Sequence, residues 1–371
     1  MRISYAKRIL SAILVVALCL SFSTTAIATE PAETETVPVT ETAPAETTPA
    51  TETAPEETVP VETQPGETSP EKVQPEGTEP VTYTVDTESE MYQILAALEP
   101  ELKSDQVMVY DTTNDKMLYT YSTEGEKLYP ASITKLFSAY VGLQHLNPEE
   151  VLTVGDELEL VQPGSSVAYL SRGQQLYVRT VVEGMMLPSG NDAAIVLACA
   201  AGRRIANDPE LHHTEAVQVF VDEMNRKAEE LGFERSHFAN PDGFHVGCHY
   251  TCLNDMARIA KLALENEIIS RYIRRHKDEV YFVSGHFAEW ENTNLLLNPE
   301  EGFYRRDAIG MKTGFTRQAE YCLMSAFKCR DGRILVVGAF GSDDEFGRLR
   351  DILKLVNAAQ NQLKAETAKV G

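Results

Sequence analysis

The chain has 371 residues, 43% of them hydrophobic, with 33 Lys and Arg against 56 Asp and Glu and a formal net charge of −23. That apolar content supports one or two packed domains. The acidic balance, with no basic stripe along the sequence, excludes a nucleic-acid partner.

At the N-terminus Arg2, Lys7 and Arg8 precede an apolar run from Ile9 to Phe22 and a small-x-small Ala26-Ile27-Ala28. Residues 1–28 have the pattern of a secretory signal peptide cleaved near Ala28, which makes the protein exported. The run is short for a membrane span, so a membrane is met only through this segment, if it is retained. Residues 29–90 hold sixteen acids and one base, Lys72, among Thr, Pro and Val. Proline recurs at 55, 60, 65, 70, 75 and 80. That spacing forbids helix and sheet, and glutamate repulsion extends the chain. A disordered spacer is expected here, read either as reach across an envelope or wall or as a tolerated low-complexity tail.

A folded domain is expected over residues 91–366, followed by a polar tail at 367–371. Residues 105–122 alternate apolar and polar about Asn114-Asp115, a hairpin signal. After Ser132, the apolar residues Ile133, Leu136, Phe137, Tyr140 and Val141 recur at helical spacing. Helical patterns follow at 191–201 and 216–231, and strand patterns return at 308–313, 320–328 and 333–341. A last amphipathic helix uses Leu349, Ile352, Leu353 and Val356. Strands at both ends around a helical middle predict an α+β domain whose sheet joins the two chain ends.

Five cysteines lie beyond the leader: Cys199, Cys248, Cys252, Cys322 and Cys329. An odd number leaves at least one thiol without an intrachain partner. His245, Cys248, His249 and Cys252 are metal-ligand types, but their spacing lacks the C-x-x-C half-site of zinc proteins. Helix packing or a local Cys248–Cys252 bridge is expected instead, with no metal and no cofactor.

Lys135 sits in the first helical turn, where the positive helix end disfavours an ammonium. Ser-x-x-Lys occurs four times, at Ser4–Lys7, Ser69–Lys72, Ser132–Lys135 and Ser325–Lys328. The first two lie in segments not expected to fold. The fourth lies on a strand, where i and i+3 point to opposite faces. Ser132 and Lys135 alone share a helical face within hydrogen-bonding reach. Burial and the helix end both favour a neutral amine, which can take a proton from a hydroxyl. On its own, however, the pair also reads as a capping serine beside a solvated lysine.

Two further motifs change that balance. "LPSGNDAA" (187–194) puts Ser189 and Asn191 on a loop entering a helix, and "GMKTGFT" (310–316) puts Lys312, Thr313 and Gly314 on a strand. The glycine is expected to let a substrate backbone approach. Ser-x-x-Lys, Ser-x-Asn and Lys-Thr-Gly in this order resemble the signature of penicillin-binding proteins and class A β-lactamases. With "FANPDGFHVGCHYTCLNDMARIA" and "NTNLLL", residues 95–360 resemble the serine D-alanyl-D-alanine carboxypeptidases, the low-molecular-mass penicillin-binding proteins.

The resemblance implies the β-lactamase/DD-peptidase-like fold, a five-stranded antiparallel sheet flanked by helices with a helical subdomain. It implies peptidoglycan stem peptides ending in D-Ala–D-Ala as substrates and β-lactams as inhibitors. Ser132 is then the nucleophile, Lys135 its base, and Ser189 the proton relay to the leaving amine. Asn191 holds Lys135 and substrate, while Lys312 adds charge near Ser189. Thr313 and Arg348 meet the substrate carboxylate, and the N–H groups of Ser132 and Phe315 form the oxyanion hole. The family usually has Gly where Glu320 stands, which would alter the cleft rim. A β-lactamase would show Ser-Asp-Asn in place of Ser189-Gly190-Asn191 and a Glu-x-x-Leu-Asn loop. A non-catalytic sensor or wall protein would carry a signalling membrane segment or lack a catalytic residue.

Overall fold

The computed structural model describes residues 82–370 except 124, 126 and 234. The expected leader and residues 29–81 of the spacer lie outside the described residues. In chain order the elements are α1 (Glu90–Ala96), β1 (Ser104–Asp111), β2 (Lys116–Ser122), α2 (Thr134–His145), β3 (Val151–Thr153), β4 (Gln175–Tyr177), α3 (Val178–Met186), α4 (Asn191–Ala206) and α5 (His213–Glu230). They continue with α6 (Leu253–Glu265), α7 (Glu267–Ile273), β5 (Lys277–Tyr281), β6 (Phe287–Glu291), β7 (Ala308–Thr316), β8 (Glu320–Lys328), β9 (Ile334–Ser342) and α8 (Gly347–Val370).

The main sheet has five strands in the order β2-β1-β9-β8-β7, all paired antiparallel. β9 lies between β1 and β8, so the two chain ends meet in one sheet, as the strand patterns predicted. Side chains of period two give each strand two apolar faces. Val107, Val109, Leu335 and Val337 face α1 and α8, where Leu95, Leu349, Ile352 and Val356 cover them. Met108, Tyr110, Met324 and Val336 face the other way, into the core built on α2 and the helical insert. A sheet covered on both faces holds its register strongly, because a one-residue slip would exchange the two cores. Ser325 and Lys328 part company as strand geometry requires. The serine is buried and donates to the Gly310 carbonyl at 2.7 Å, whereas the lysine is exposed.

The domain begins and ends outside the expected limits. Tyr83 donates its N–H to Asn254 Oδ1 at 3.3 Å and its hydroxyl to Asp115 at 2.6 Å, with Tyr110 Oη 3.0 Å away. Lys261 Nζ reaches the other oxygen of Asp115 at 2.8 Å. Ser89 caps α1 by accepting the Tyr92 N–H, and Lys369 pairs with Glu90 at 3.2 Å. Residues 82–90 therefore belong with the domain rather than the spacer, and α8 runs through the expected tail to Val370. Single apolar residues among Thr, Glu and Pro carry no periodicity, which is why 82–90 read as spacer. No described helix is long and apolar enough to cross a membrane.

Two outcomes follow from this packing. A Cβ on Gly202 would stand 1.8 Å from the backbone oxygen of Ala216, where α4 and α5 touch, whereas one on Gly302 would meet nothing within 4 Å. Gly202→Ala should lower stability by about 1–3 kcal/mol or more, read as a fall in Tm, with Gly302→Ala unchanged. A chain starting at residue 82 should melt like the full protein. One starting at 91 should melt several degrees lower, since losing the Ser89 cap alone costs about 1 kcal/mol.

Candidate active site

Ser132 sits in a 3-10 turn, Ala131–Ile133, directly before α2. The turn is strained, because Ala131 has φ of +47°. Two glycines close on it. A Cβ on Gly243 (φ +84°) would lie 1.8 Å from the Ala131 carbonyl oxygen, and one on Gly314 would lie 2.9 Å from the Pro130 oxygen and 3.1 Å from Ser132 N. The glycine of Lys-Thr-Gly thus gives room to the serine turn. A side chain there would push β7 off Ser132.

The fully buried Lys135 lies in the first turn of α2. Its Nζ contacts Ser132 Oγ at 2.8 Å, Asn191 Oδ1 at 2.7 Å and the Asp242 carbonyl at 2.8 Å. Burial pulls its pKa down to about 8, against the opposing pull of the Asp242 and Asp192 carboxylates. Asn191 opens α4 after the turn 187–190, in which Ser189 is buried with φ of +64°. Asp192 fixes that corner by accepting the Ala168 and Leu170 N–H groups at 2.8 and 2.9 Å.

β7 supplies the opposite wall. Thr313 Oγ1 is hydrogen-bonded to Thr293 Oγ1. Lys312 is fully buried with its Nζ donating to the Thr313 carbonyl at 3.1 Å. Burial, then the neighbouring charges of Lys135 and Arg348, push the Lys312 pKa well below its ordinary value. The charge expected at Lys312 is therefore opposed by its surroundings. Arg348, near the start of α8, donates Nη1 to the Cys322 carbonyl at 2.9 Å and the Gly314 carbonyl at 3.2 Å. Its Nη2 stands 3.7 Å from Glu345.

Ser132, Ser189, Asn191, Thr313, Gly314, Phe315 and Arg348 all line one cleft of about 860 Å³. Lys135 and Lys312 are buried behind that lining. The sequence did not single out Asp242, whose backbone oxygen holds Lys135, nor Gly243, nor Thr293. Their segments, "NPDGF" and "NTNLLL", stood among the recognisable blocks, but a backbone acceptor leaves no mark on residue type. Glu320 stands at φ +53°, a backbone region that favours glycine, at the turn joining β7 and β8.

The His/Cys segment has other work. His249 is buried and accepts the Ala239 N–H on Nδ1 at 3.1 Å, so its proton sits on Nε2, facing Thr134 Oγ1 at 2.8 Å. Burial drags its pKa down to about 3, with His237, His245 and Lys135 adding to the effect. The expected Cys248–Cys252 bridge is not formed: Cys248 is exposed, Cys252 is buried at the start of α6, and both are free thiols. Thr251 is paired with Leu128, which ties Cys252 into the fold.

A family model described as D-alanyl-D-alanine carboxypeptidase, peptidase S11, matches residues 93–341. The D-alanyl-D-alanine carboxypeptidase DacF of Bacillus subtilis is 29% identical over 273 residues, which is 71% of this chain and 63% of that protein. A D-alanyl-D-alanine carboxypeptidase of Streptomyces is 30% identical over 251 residues, 65% of this chain and 81% of the relative. The chain thus spans just under two thirds of DacF. The crystal structure of a Streptomyces DD-transpeptidase superposes with a TM-score of 0.62 at 28% identity, covering 70% of this chain and 97% of that one. Penicillin-binding protein D2 of Listeria monocytogenes, solved with ampicillin bound, shares the fold with a TM-score of 0.56 at 24% identity. The sheet order, the cleft and these matches together show that the chain belongs to the peptidase S11 family of D-alanyl-D-alanine carboxypeptidases.

Proposed function

We propose that this protein is a serine carboxypeptidase that removes the terminal D-Ala from peptidoglycan stem peptides through an acyl-enzyme on Ser132, and that β-lactams acylate the same serine. The environment of the Lys135 amine carries this reading. A neutral amine has two protons and one lone pair. Two of its partners, Asn191 Oδ1 and the Asp242 carbonyl, can only accept, so they take the two N–H groups. The lone pair is left for the one partner with a proton to give, the Ser132 hydroxyl.

In the proposed reaction Ser132 Oγ attacks the carbonyl carbon of the penultimate D-Ala as its proton passes to Lys135. The Ser132 and Phe315 N–H groups hold the oxyanion, and the contact of Gly314 with the serine turn supports their closeness. The C–N bond then breaks, with Ser189 relaying a proton to the departing amine. Water hydrolyses the ester and restores the serine. Thr313, Lys312 and Arg348 receive the substrate carboxylate. An anion there would favour the Lys312 ammonium that burial opposes. Since Arg348 Nη1 is spent on two carbonyls, Nη2 is the donor available to substrate once it leaves Glu345. Export through residues 1–28 and a spacer at 29–81 complete the proposal.

A penicillin should label Ser132, located by mass spectrometry of tryptic peptides, and the adduct should persist. Because the base is the neutral amine and its pKa lies at about 8, acylation should rise about tenfold per pH unit below that value and level off above it. Labelling of another residue, or rapid turnover to the hydrolysed drug, would contradict the assignment. The latter result would mark a β-lactamase.

A peptide ending in free D-Ala–D-Ala should be cleaved at least about a hundredfold faster than its C-terminal amide, since the amide leaves buried donors unpaired. Arg348→Ala should slow the acid far more than the amide, and Thr313→Val should narrow the same gap without disturbing the arginine's backbone contacts. Equal cleavage of acid and amide by the unaltered enzyme would point to an endopeptidase.

A further inference from the structure

One groove of this acidic protein is basic. It lies where the start of β7, the end of β8 and the last turns of α8 meet, and has a volume of about 1000 Å³. Arg305, Arg306, Lys328, Arg330 and Lys364 line it against two carboxylates, Asp307 and Asp331. Both carboxylates are already matched. Arg305 grips Asp307 through two contacts of 2.9 Å, and Arg333 holds Asp331 at 2.7 and 2.8 Å. Arg306, Lys328, Arg330 and Lys364 are exposed, and among the described residues none has a carboxylate within 4.0 Å.

Four like charges gathered without counter-charges repel one another and weaken the fold. The groove's two acids, Asp307 and Asp331, are held by Arg305 and Arg333, so these four cations are left without a close counter-charge. The groove is also separate from the cleft. Ile309 lines the groove and Thr313 is the first residue of β7 to line the cleft. Four residues of strand separate them by about 13 Å at roughly 3.3 Å per residue.

We propose that this groove binds an extended chain of phosphate groups other than a nucleic acid, holding the enzyme on an anionic matrix while the cleft stays open. The guanidinium forks of Arg306 and Arg330 fit phosphate oxygens in pairs, and Lys328 and Lys364 act as point charges. Cations contributed by β8, α8 and the two loops beside β7 and β8 suit a chain of charges better than one ion. A membrane surface fits poorly, because the site is recessed and no exposed large apolar side chain is among its lining residues.

The test measures binding of the full chain to labelled inorganic polyphosphate across salt concentrations. Wild type should bind at low salt, with log affinity falling against log salt by about 0.7 per cation engaged, so by about 3 for four. Arg306→Ala/Arg330→Ala/Lys364→Ala should weaken binding at least about tenfold and cut the slope by about 2. The Tm should not fall, and hydrolysis of a soluble peptide should be unchanged. Absence of binding by wild type, or equal binding by the triple variant, would overturn the proposal. So would tighter binding to anionic lipid vesicles than to polyphosphate, or equal binding to poly-L-glutamate, which would show charge without phosphate recognition.

Discussion

The proposed chemistry of this protein depends on an amine kept out of water. An isolated ammonium in an apolar interior is strongly disfavoured, so a buried lysine either finds acceptors or loses its proton. Lys135 does some of both. Three oxygens surround it and two carboxylates lie within electrostatic reach, yet burial still brings its pKa to about 8. The result is an amine that loses its proton at accessible pH and stays in register with one hydroxyl, as the proposed base must. Its three partners come from the serine turn, the start of α4 and the 240–244 loop, so the core around α2 must assemble before the base exists.

Holding that assembly together requires unusual backbone. Ala131, Ser189 and Glu320 all adopt positive φ at or beside the cleft. Such conformations cost of order 1–3 kcal/mol each and survive only where surrounding packing over-determines them. Here the packing is backbone against backbone, with Gly243 on Ala131 and Gly314 on the serine turn. The sheet beneath is covered on both faces and places β7 against that turn. Arg348 reinforces the contact from α8, by tying the Gly314 and Cys322 carbonyls of adjacent strands together. It belongs to the scaffold as much as to the cleft wall.

Much of this was legible in the sequence. The hairpin about Asn114-Asp115, the strands near 308–341 and the helix of Leu349 to Val356 follow from periodicity, which reports only on local faces. Ser132 and Lys135 could be singled out from four equivalent spacings because only there does a helix bring i and i+3 together. Ser189, Asn191 and the Lys-Thr-Gly strand emerged through their resemblance to a known order of motifs, and the cleft gathers them.

By itself, then, the sequence determined the elements, the faces they bury and the side chains that could act as nucleophile, base and relay. Those properties depend on residue type and on spacing along one element. Tertiary structure alone decided the rest. The Asp242 carbonyl that orients Lys135 is a group every residue possesses, so only its position distinguishes it. The place of Gly314 against the serine turn and the contacts that tie Tyr83 and Glu90 to the domain depend on partners far away in the chain. So does the basic groove, which no run of cations announces. Arg306, Lys328, Arg330 and Lys364 are scattered over two elements and two loops, and only the pairing of β7 with β8 under α8 makes them neighbours.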